Sequence, residues 1–445
     1  MHPLLRPFYS GIASFAAALT PVADSVAAIA APRSSNKLLR TFRVRRRALE
    51  RWEQQCIAER DRSRPLVWMH APSVGEGLQA RPVAHALKAR HPDWQLAYSW
   101  FSPSAESFAS SIGADLSGYL PFDTVEAADR MLKALEPSAL VFAKLDIWPA
   151  LVERAMARSI PVALISGTVA PRSGRRSPFA RALLGDAYRA LSAVGAIDDE
   201  HGARLIELGV RPDVLHRTGD TRFDQVWTRA QRVDRASPML RMLASDRATL
   251  VAGSTWPADE QVLLPAWKAL HAQHSSARLI IAPHEPTAEH VDPILAWART
   301  SGLRHTTLSE LEQRTADQFI DVIVVDRVGV LGDLYALATA AFVGGGFHAA
   351  GLHSVIEPAA FGAPVIFGPR HDMSREAGLL LAAGGGAVVT DAASMQQQLN
   401  AWLFDKSLQV ASGASARHVV EIERGATERS AALIEELVTG DWAAS

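Results

Sequence analysis

Residues 67–76, Val-Trp-Met-His-Ala-Pro-Ser-Val-Gly-Glu, place a carboxylate where a short apolar run gives way to an amphipathic stretch. The run ends at Met69, Ser-Val-Gly-Glu reads as a tight turn, and a helix is expected over Leu78–Arg90. A helix N-terminus attracts anions through its free N–H groups and its dipole. Glu76 is therefore either a helix-start acid or a catalytic base, with Ser73 and Gly75 shaping the turn. A second run, residues 343–362, carries an apolar strand into a Gly-rich loop (Gly344, Gly345, Gly346, Gly351) and then a helix with Ser354 and Glu357 near its start. Glycines let backbone N–H groups approach a phosphate closely. Glu357 is placed to bind sugar hydroxyls.

Three smaller motifs accompany them. Lys144-Leu145-Asp146-Ile147-Trp148-Pro149 closes an expected strand, with a core-packing Trp-Pro loop as the alternative. Gly219-Asp220-Thr221-Arg222-Phe223-Asp224 offers Arg222 as a clamp for phosphate or carboxylate. Gly253-Ser254-Thr255-Trp256 offers hydroxyl and N–H donors to a phosphate. Each motif alone is also compatible with a structural turn.

The elements that must position these residues alternate strand and helix. Apolar runs at 66–69, 96–99, 139–142, 162–165 and 194–197 are separated by helical stretches such as 78–90 and 124–135. The pattern lapses over 225–247, which is polar and reads as a linker. It restarts at 250–253, 279–282, 322–325, 341–344, 365–368 and 387–389, and a last helical stretch covers about 416–438. Alternation of this kind predicts α/β domains with mostly parallel sheets. Ligands of such sheets bind outside the carboxyl ends of the strands.

Composition narrows the function classes. A chain of 445 residues exceeds one ordinary core and predicts two domains. Hydrophobic content of 48% and charged content of 21% indicate a globular protein, and a formal net charge of −1 gives no reason to expect nucleic acid as a partner. The single cysteine, Cys56, excludes an intramolecular disulfide. His348 and His353 are five apart, but nothing supplies further zinc ligands, so no metal site is expected. Residues 8–31 fall short of a clean membrane span. Arg33, Lys37, Arg40, Arg43, Arg45, Arg46, Arg47 and Arg51 then form a basic run suited to an anionic lipid surface on the cytoplasmic side.

Taken together the motifs resemble a family. His70-Ala71-Pro72-Ser73-Val74-Gly75-Glu76, Leu120-Pro121-Phe122-Asp123, Asp146-Ile147-Trp148-Pro149, residues 219–224, Leu331-Gly332-Asp333-Leu334-Tyr335 and residues 343–369 occur in order over about 35–435. They are similar to the 3-deoxy-D-manno-oct-2-ulosonic acid (Kdo) transferases of lipopolysaccharide assembly. The resemblance implies the GT-B glycosyltransferase architecture, two Rossmann-like domains facing across a cleft. Its expected parts are a membrane-associated segment (1–34), an acceptor domain (35–228), a CMP-sugar donor domain (248–420) and a C-terminal helix (421–445) that packs back.

The resemblance also implies roles. CMP-Kdo would be the donor, a lipid A precursor (lipid IVA) the acceptor, and the cytoplasmic face of the inner membrane the location. Glu76 would be the general base of an inverting, metal-independent transfer that needs no cofactor. Ser73, Gly75, Lys144 and Asp146 would lie on the acceptor side. Arg222, Ser254, Thr255, His284, Gly345, Gly346, Gly351, Ser354 and Glu357 would hold the donor. A base at the mouth of a cleft would need only a modestly raised pKa.

Three places depart from the common family pattern. Lys144 stands where many members have Glu, Ser354 replaces an Asn, and Pro283-His284-Glu285-Pro286 replaces an Arg-His-Pro-Glu-Arg-like element. Another nucleotide-sugar enzyme of the same fold, an epimerase included, and a non-catalytic membrane-associated relative are the alternatives.

Overall fold

The computed structural model describes Tyr9, Gly11, Arg45 and residues 47–313, 319–349 and 351–440. The segment 1–34 expected at the membrane, apart from Tyr9 and Gly11, lies outside the described residues, as do Arg33, Lys37, Arg40, Arg43 and Arg46. Two seven-stranded sheets, parallel throughout, organise the chain. The first contains β1 (Leu66–His70), β2 (Gln95–Trp100), β3 (Leu116–Tyr119), β4 (Ala139–Ala143), β5 (Val162–Gly167), β6 (Ala193–Ala196) and β7 (Leu215–Arg217) in the order β3-β2-β1-β4-β5-β6-β7. The second contains β8 (Thr249–Thr255), β9 (Arg278–Pro283), β10 (His305–Thr307), β11 (Val322–Val324), β12 (Ala340–Val343), β13 (Val365–Phe367) and β14 (Gly386–Val388) in the order β10-β11-β9-β8-β12-β13-β14.

Helices cover both faces of a parallel sheet, so its central strands read as continuous apolar runs. All residues of β1, β4 and β12 are buried. Three strands escape the sequence pattern: β3, β7 and β10. Each is an edge strand of three or four residues, and Leu-Ser-Gly-Tyr, Leu-His-Arg and His-Thr-Thr carry no apolar run because one side needs no burial.

The chain divides into two compact units. One runs to Asp224 and resumes at Arg424; the other is Gln225–Glu423. Residues 225–247, read as a linker, hold no strand, but the Thr221–Arg232 and Pro238–Leu243 helices occupy much of them. The expected last helix is two helices, Lys406–Ile422 and Ala426–Thr439, separated where Gly425 takes φ +89°. Ala431, Leu433, Ile434 and Leu437 of the second enter the apolar cluster that holds Val83, Ala84 and Leu87 of the Val74–Arg90 helix. Asp224 fixes its start by accepting the Gly425 and Thr427 N–H groups, each at 2.7 Å. Among the described residues no helix is long and apolar enough to cross a membrane.

Candidate functional site

The first sheet brings the acceptor-side candidates to one place. β1 lies between β2 and β4, so the chain leaves β1 for opposite sides of the sheet, and the ligand crevice of such a sheet lies at the carboxyl ends of these strands. His70 ends β1, and Lys144 follows β4 directly. The helix after β1 begins at Val74 with Ser73 as N-cap, so Glu76 sits in the first helical turn rather than in a turn preceding it. The Ser73-x-x-Glu76 spacing is that of a capping box, yet the box does not form. The Ser73 hydroxyl donates to Glu76 Oε2 instead.

Lys144 Nζ donates to Glu76 Oε1 at 3.1 Å. Burial pushes the Glu76 carboxyl up. The Ser73 hydrogen bond and the Lys144 charge and hydrogen bond outweigh it, and the carboxyl lies below its ordinary value. This differs from the modestly raised base expected from the sequence, and the causes are the Ser73 hydrogen bond and then Lys144. That residue makes the contact with a left-handed backbone, φ +71°, a strained conformation for a residue with a side chain. Asp146 has a different partner: Arg175 pairs with it and also donates to the Leu145 carbonyl at 2.9 Å.

His70 supports this corner from beneath. It is fully buried, its Nδ1 lies 2.9 Å from Ser99 Oγ, and burial takes its imidazole down to about 3. Trp68 Nε1 donates to the same hydroxyl at 2.9 Å. Phe142 and Trp148 present edges to the His70 ring at 6.0 and 5.7 Å. Trp148 thus packs on the core and Pro149 opens the Pro149–Met156 helix, which is the structural alternative for that motif. Asp123 of the Leu-Pro-Phe-Asp element caps this helix through the Ala150 and Leu151 N–H groups, both at 2.9 Å, and accepts Tyr9 Oη at 2.7 Å.

Arg222 is engaged by its own motif. Its guanidinium grips Asp220, which is 1% exposed, with contacts of 2.6 to 3.1 Å. The residue lies in the first unit, whereas the other donor candidates lie in the second. Residues 219–224 also seat the returning helix: Arg429 Nε donates to the Thr218 carbonyl at 2.8 Å, and Thr221 ties to the Gln79 carbonyl at 2.8 Å. The basic run is divided too. Arg47 and Arg51 are exposed, but Arg45 is 5% exposed, with its guanidinium 3.5 Å from the Phe101 ring centroid. It faces the protein rather than a lipid surface.

In the second unit, β8 lies between β9 and β12; Ser254 and Thr255 end β8, His284 follows β9, and the loop and helix after β12 carry the remaining donor candidates of this unit. Ser254 is left-handed at φ +53°. The Thr255 hydroxyl donates to Glu260 at 2.8 Å. The Gly-rich loop does not offer all its donors to a ligand. Asp259, wholly buried, accepts Gly345 N–H at 2.8 Å, Phe347 N–H at 3.1 Å and Trp256 N–H at 2.9 Å. A carboxylate of the chain therefore fills part of the phosphate nest expected there. The glycines serve close packing: a Cβ on Gly346 would stand 2.4 Å from Gly368 N, and one on Gly345 would meet the Gly351 carbonyl at 2.1 Å.

Burial raises the Glu357 carboxyl, opposed by the Arg229 charge and a Ser354 hydrogen bond. Arg229 in turn holds Asp333 at 3.0 and 3.1 Å, which gives the Leu-Gly-Asp-Leu-Tyr motif its role. The sequence signal missed Trp256 as a site residue. The His284 ring stacks on Trp256 at 4.6 Å, and His348 and His353, set aside as a metal pair, stack on it at 4.5 and 6.5 Å. Among the described residues no three His, Cys, Asp or Glu side chains are grouped to hold a metal ion.

Residues 46–225 match the family model described as 3-Deoxy-D-manno-octulosonic-acid transferase (kdotransferase). Residues 46–225 are thus similar to a Kdo transferase domain. The 3-deoxy-D-manno-octulosonic acid transferase of Bordetella pertussis is 29% identical over 416 residues, 89% of this chain and 94% of that protein. That of Haemophilus influenzae is 26% identical over 368 residues, 82% of this chain and 85% of that one. These similarities make the chain a glycosyltransferase and set aside the epimerase alternative. The UDP-GlcNAc 2-epimerase of Neisseria meningitidis, solved with UDP-GlcNAc, shares the fold alone: TM-score 0.59 at 13% identity, over 84% of this chain and 100% of that chain. Solved neighbours of this kind identify the α/β architecture as GT-B.

Proposed function

We propose that the protein transfers Kdo from CMP-Kdo to a lipid A precursor (lipid IVA), with inversion and without a metal, and that Glu76 is the general base. The observation that carries this reading is the Glu76 carboxylate, held by Ser73 and Lys144 at the carboxyl ends of β1 and β4 inside the segment similar to a Kdo transferase domain. Its lowered pKa keeps it ionised at neutral pH, ready to accept a proton.

In the proposed step the acceptor hydroxyl gives its proton to Glu76 while its oxygen bonds to the anomeric carbon of Kdo. The bond from that carbon to the CMP phosphate oxygen breaks, and CMP leaves with the electron pair. A single displacement of this kind inverts the anomeric centre. Lys144, beside Glu76, is placed to attract an acceptor phosphate as the proton arrives. Ser254, His284, Ser354 and Glu357 are the donor-side residues of the reading, with Glu357 toward the ribose. Fixed donors around a leaving phosphate supply the stabilisation that a cation supplies elsewhere.

The proposed location is the cytoplasmic face of the inner membrane, supported by the basic run of the sequence and by the exposure of Arg47 and Arg51. Flotation with anionic vesicles tests it: deleting residues 1–34 should weaken binding, and unchanged binding would place the anchor elsewhere.

The reaction is tested by incubating purified protein with lipid IVA and freshly made CMP-Kdo, with and without a chelator, and weighing the lipid by mass spectrometry. UDP-GlcNAc serves as the alternative donor. A gain of one or more Kdo units, indifferent to chelator and absent with UDP-GlcNAc, supports the reading. No gain from folded protein contradicts it.

A further inference from the structure

Three imidazoles and an indole converge over the carboxyl ends of β8, β9 and β12. Trp256 follows β8, His284 follows β9, and His348 and His353 lie in the loop after β12. The His284 and His353 rings stack with centroids 4.4 Å apart and planes within 24°. His348 lies against Trp256 at 4.5 Å, the planes within 9°. Trp256 Nε1 donates to His353 Nε2 at 3.1 Å, so a neutral His353 carries its proton on Nδ1. Strands leave β8 in both directions here, toward β9 and toward β12. That is the switch point at which open parallel sheets bind ligands.

Two observations make this cluster the electrostatic element of the site. The Gly345 and Phe347 N–H groups, which a phosphate would otherwise use, already belong to Asp259. An anion bound at these strand ends must find positive charge elsewhere, and the stacked rings can acquire it. Two imidazoles in face-to-face contact repel when both are charged, so they take one proton between them.

The surrounding groups set the resting state. Burial lowers the His353 pKa most, then the His284 charge; Asp259 opposes this, and His348 adds to it. Glu260 is bonded to Thr255, and His290 Nδ1 lies 3.2 Å from Thr287 Oγ1. Glu285 is exposed beside His284, and Glu357 lies beyond His353 with Ser354. The loop after β13 adds Arg370 and His371, the Arg370 N–H bonding the Gly346 carbonyl at 2.9 Å. Together these groups hold the His353 imidazole below its ordinary pKa before any ligand arrives.

We propose that the stacked His284–His353 pair, with His348 across the indole, is the anion-binding element of the donor subsite and takes up a proton as a phosphate-bearing nucleotide binds. The inference rests on the second unit being the donor-binding half. It makes donor affinity fall as the solution becomes alkaline, because the imidazole charge that grips the phosphate costs more to form. An Arg at position 284 would give no such dependence in this range.

The test is calorimetric titration of the full chain with CMP, from about pH 6 to about pH 8, in two buffers of different ionisation enthalpy. Cytidine is the control without phosphate. His284 is exposed, so His284→Gln should fold normally, as circular dichroism would verify; His348→Gln is the second variant. The phosphate's own second ionisation, near pH 6, is common to all proteins and cancels in the difference. The expected result is that wild type loses about tenfold more CMP affinity than His284→Gln across this range. Wild type should also take up to about one more proton per nucleotide, and cytidine none. Equal pH slopes and equal proton uptake in wild type and both variants would overturn the inference and leave the donor reading standing. Failure of folded wild type to bind CMP at any pH would overturn the donor reading and the inference together.

Discussion

Replacing Lys144 by Met removes a cation that, together with the Ser73 hydrogen bond, holds Glu76 below its ordinary pKa, and the consequence can be worked from the geometry. The ammonium lies 3.1 Å from Glu76 Oε1, with the Lys144 side chain 42% exposed and that of Glu76 14% exposed. Two unit charges at that distance attract by about 5 kcal/mol at an effective permittivity near 20 and by about 1 kcal/mol in water. The exposure of the lysine pulls the figure toward the lower end, to about 1–2 kcal/mol. A double-mutant cycle of Lys144→Met with Glu76→Gln in urea should return a coupling of this size. In the transfer assay, the acid limb of kcat/KM, which reports the free enzyme, should move to higher pH. The sign follows because the variant keeps the Ser73 hydrogen bond but loses the ammonium, favours the ionised carboxylate less, and so protonates Glu76 before the solution is as acidic. Transfer near pH 5 should fall several-fold relative to wild type, and activity near pH 8 should persist. An acid limb that stays in place in Lys144→Met, with a coupling energy near zero, would refute the assignment of Glu76 as the titrating base and of Lys144 as its modulator.

Asp224→Ala should cost about 1–3 kcal/mol in urea unfolding, because it orphans the Gly425 and Thr427 N–H groups at the start of the returning helix. Asp321→Ala should cost about 2–3 kcal/mol: it strips a buried carboxylate from Arg247 and Arg304, and the half-exposure of Arg304 keeps the loss below that of a fully buried pair. Burial raises the Asp321 carboxyl, but the Arg304 and Arg247 hydrogen bonds outweigh it and hold it below its ordinary value. Its contribution is therefore complete above the unfolded value near pH 3.9 and lost as pH falls through the folded one. The stability gap between wild type and Asp321→Ala should narrow in strong acid, as thermal scans would reveal. Gly346→Ala should lower stability by about 2 kcal/mol or more, since its Cβ would stand 2.4 Å from the Gly368 nitrogen and backbone must give way.

The sheets were legible because central parallel strands are buried on both faces and so appear as uninterrupted apolar runs. β1, β4, β8 and β12 announce themselves in this way, and the edge strands β3, β7 and β10 do not. At the site, residue types were legible and partners were not. Glu76 and Lys144 stand 68 residues apart, and only the adjacency of β1 and β4 brings them together. Arg222 was legible as a cation, but its pairing with Asp220 depends on the backbone of residues 220–222. Asp259 gave no signal at all: it lies in a helix 86 residues before the loop whose N–H groups it accepts. His348 and His353 were visible as a pair, and their relation to His284 and Trp256 required the order of β8, β9 and β12.

The central claim is that Glu76 takes the proton from the acceptor hydroxyl during Kdo transfer. Its most direct test is the single-turnover rate of Glu76→Gln with CMP-Kdo and lipid IVA, read as Kdo-bearing lipid by mass spectrometry, with CMP affinity measured on the same preparation. The account predicts a rate loss of about 10²–10⁴-fold, unchanged CMP binding and a folded protein. Transfer within a few-fold of wild type would contradict it and remove Glu76 from the chemistry.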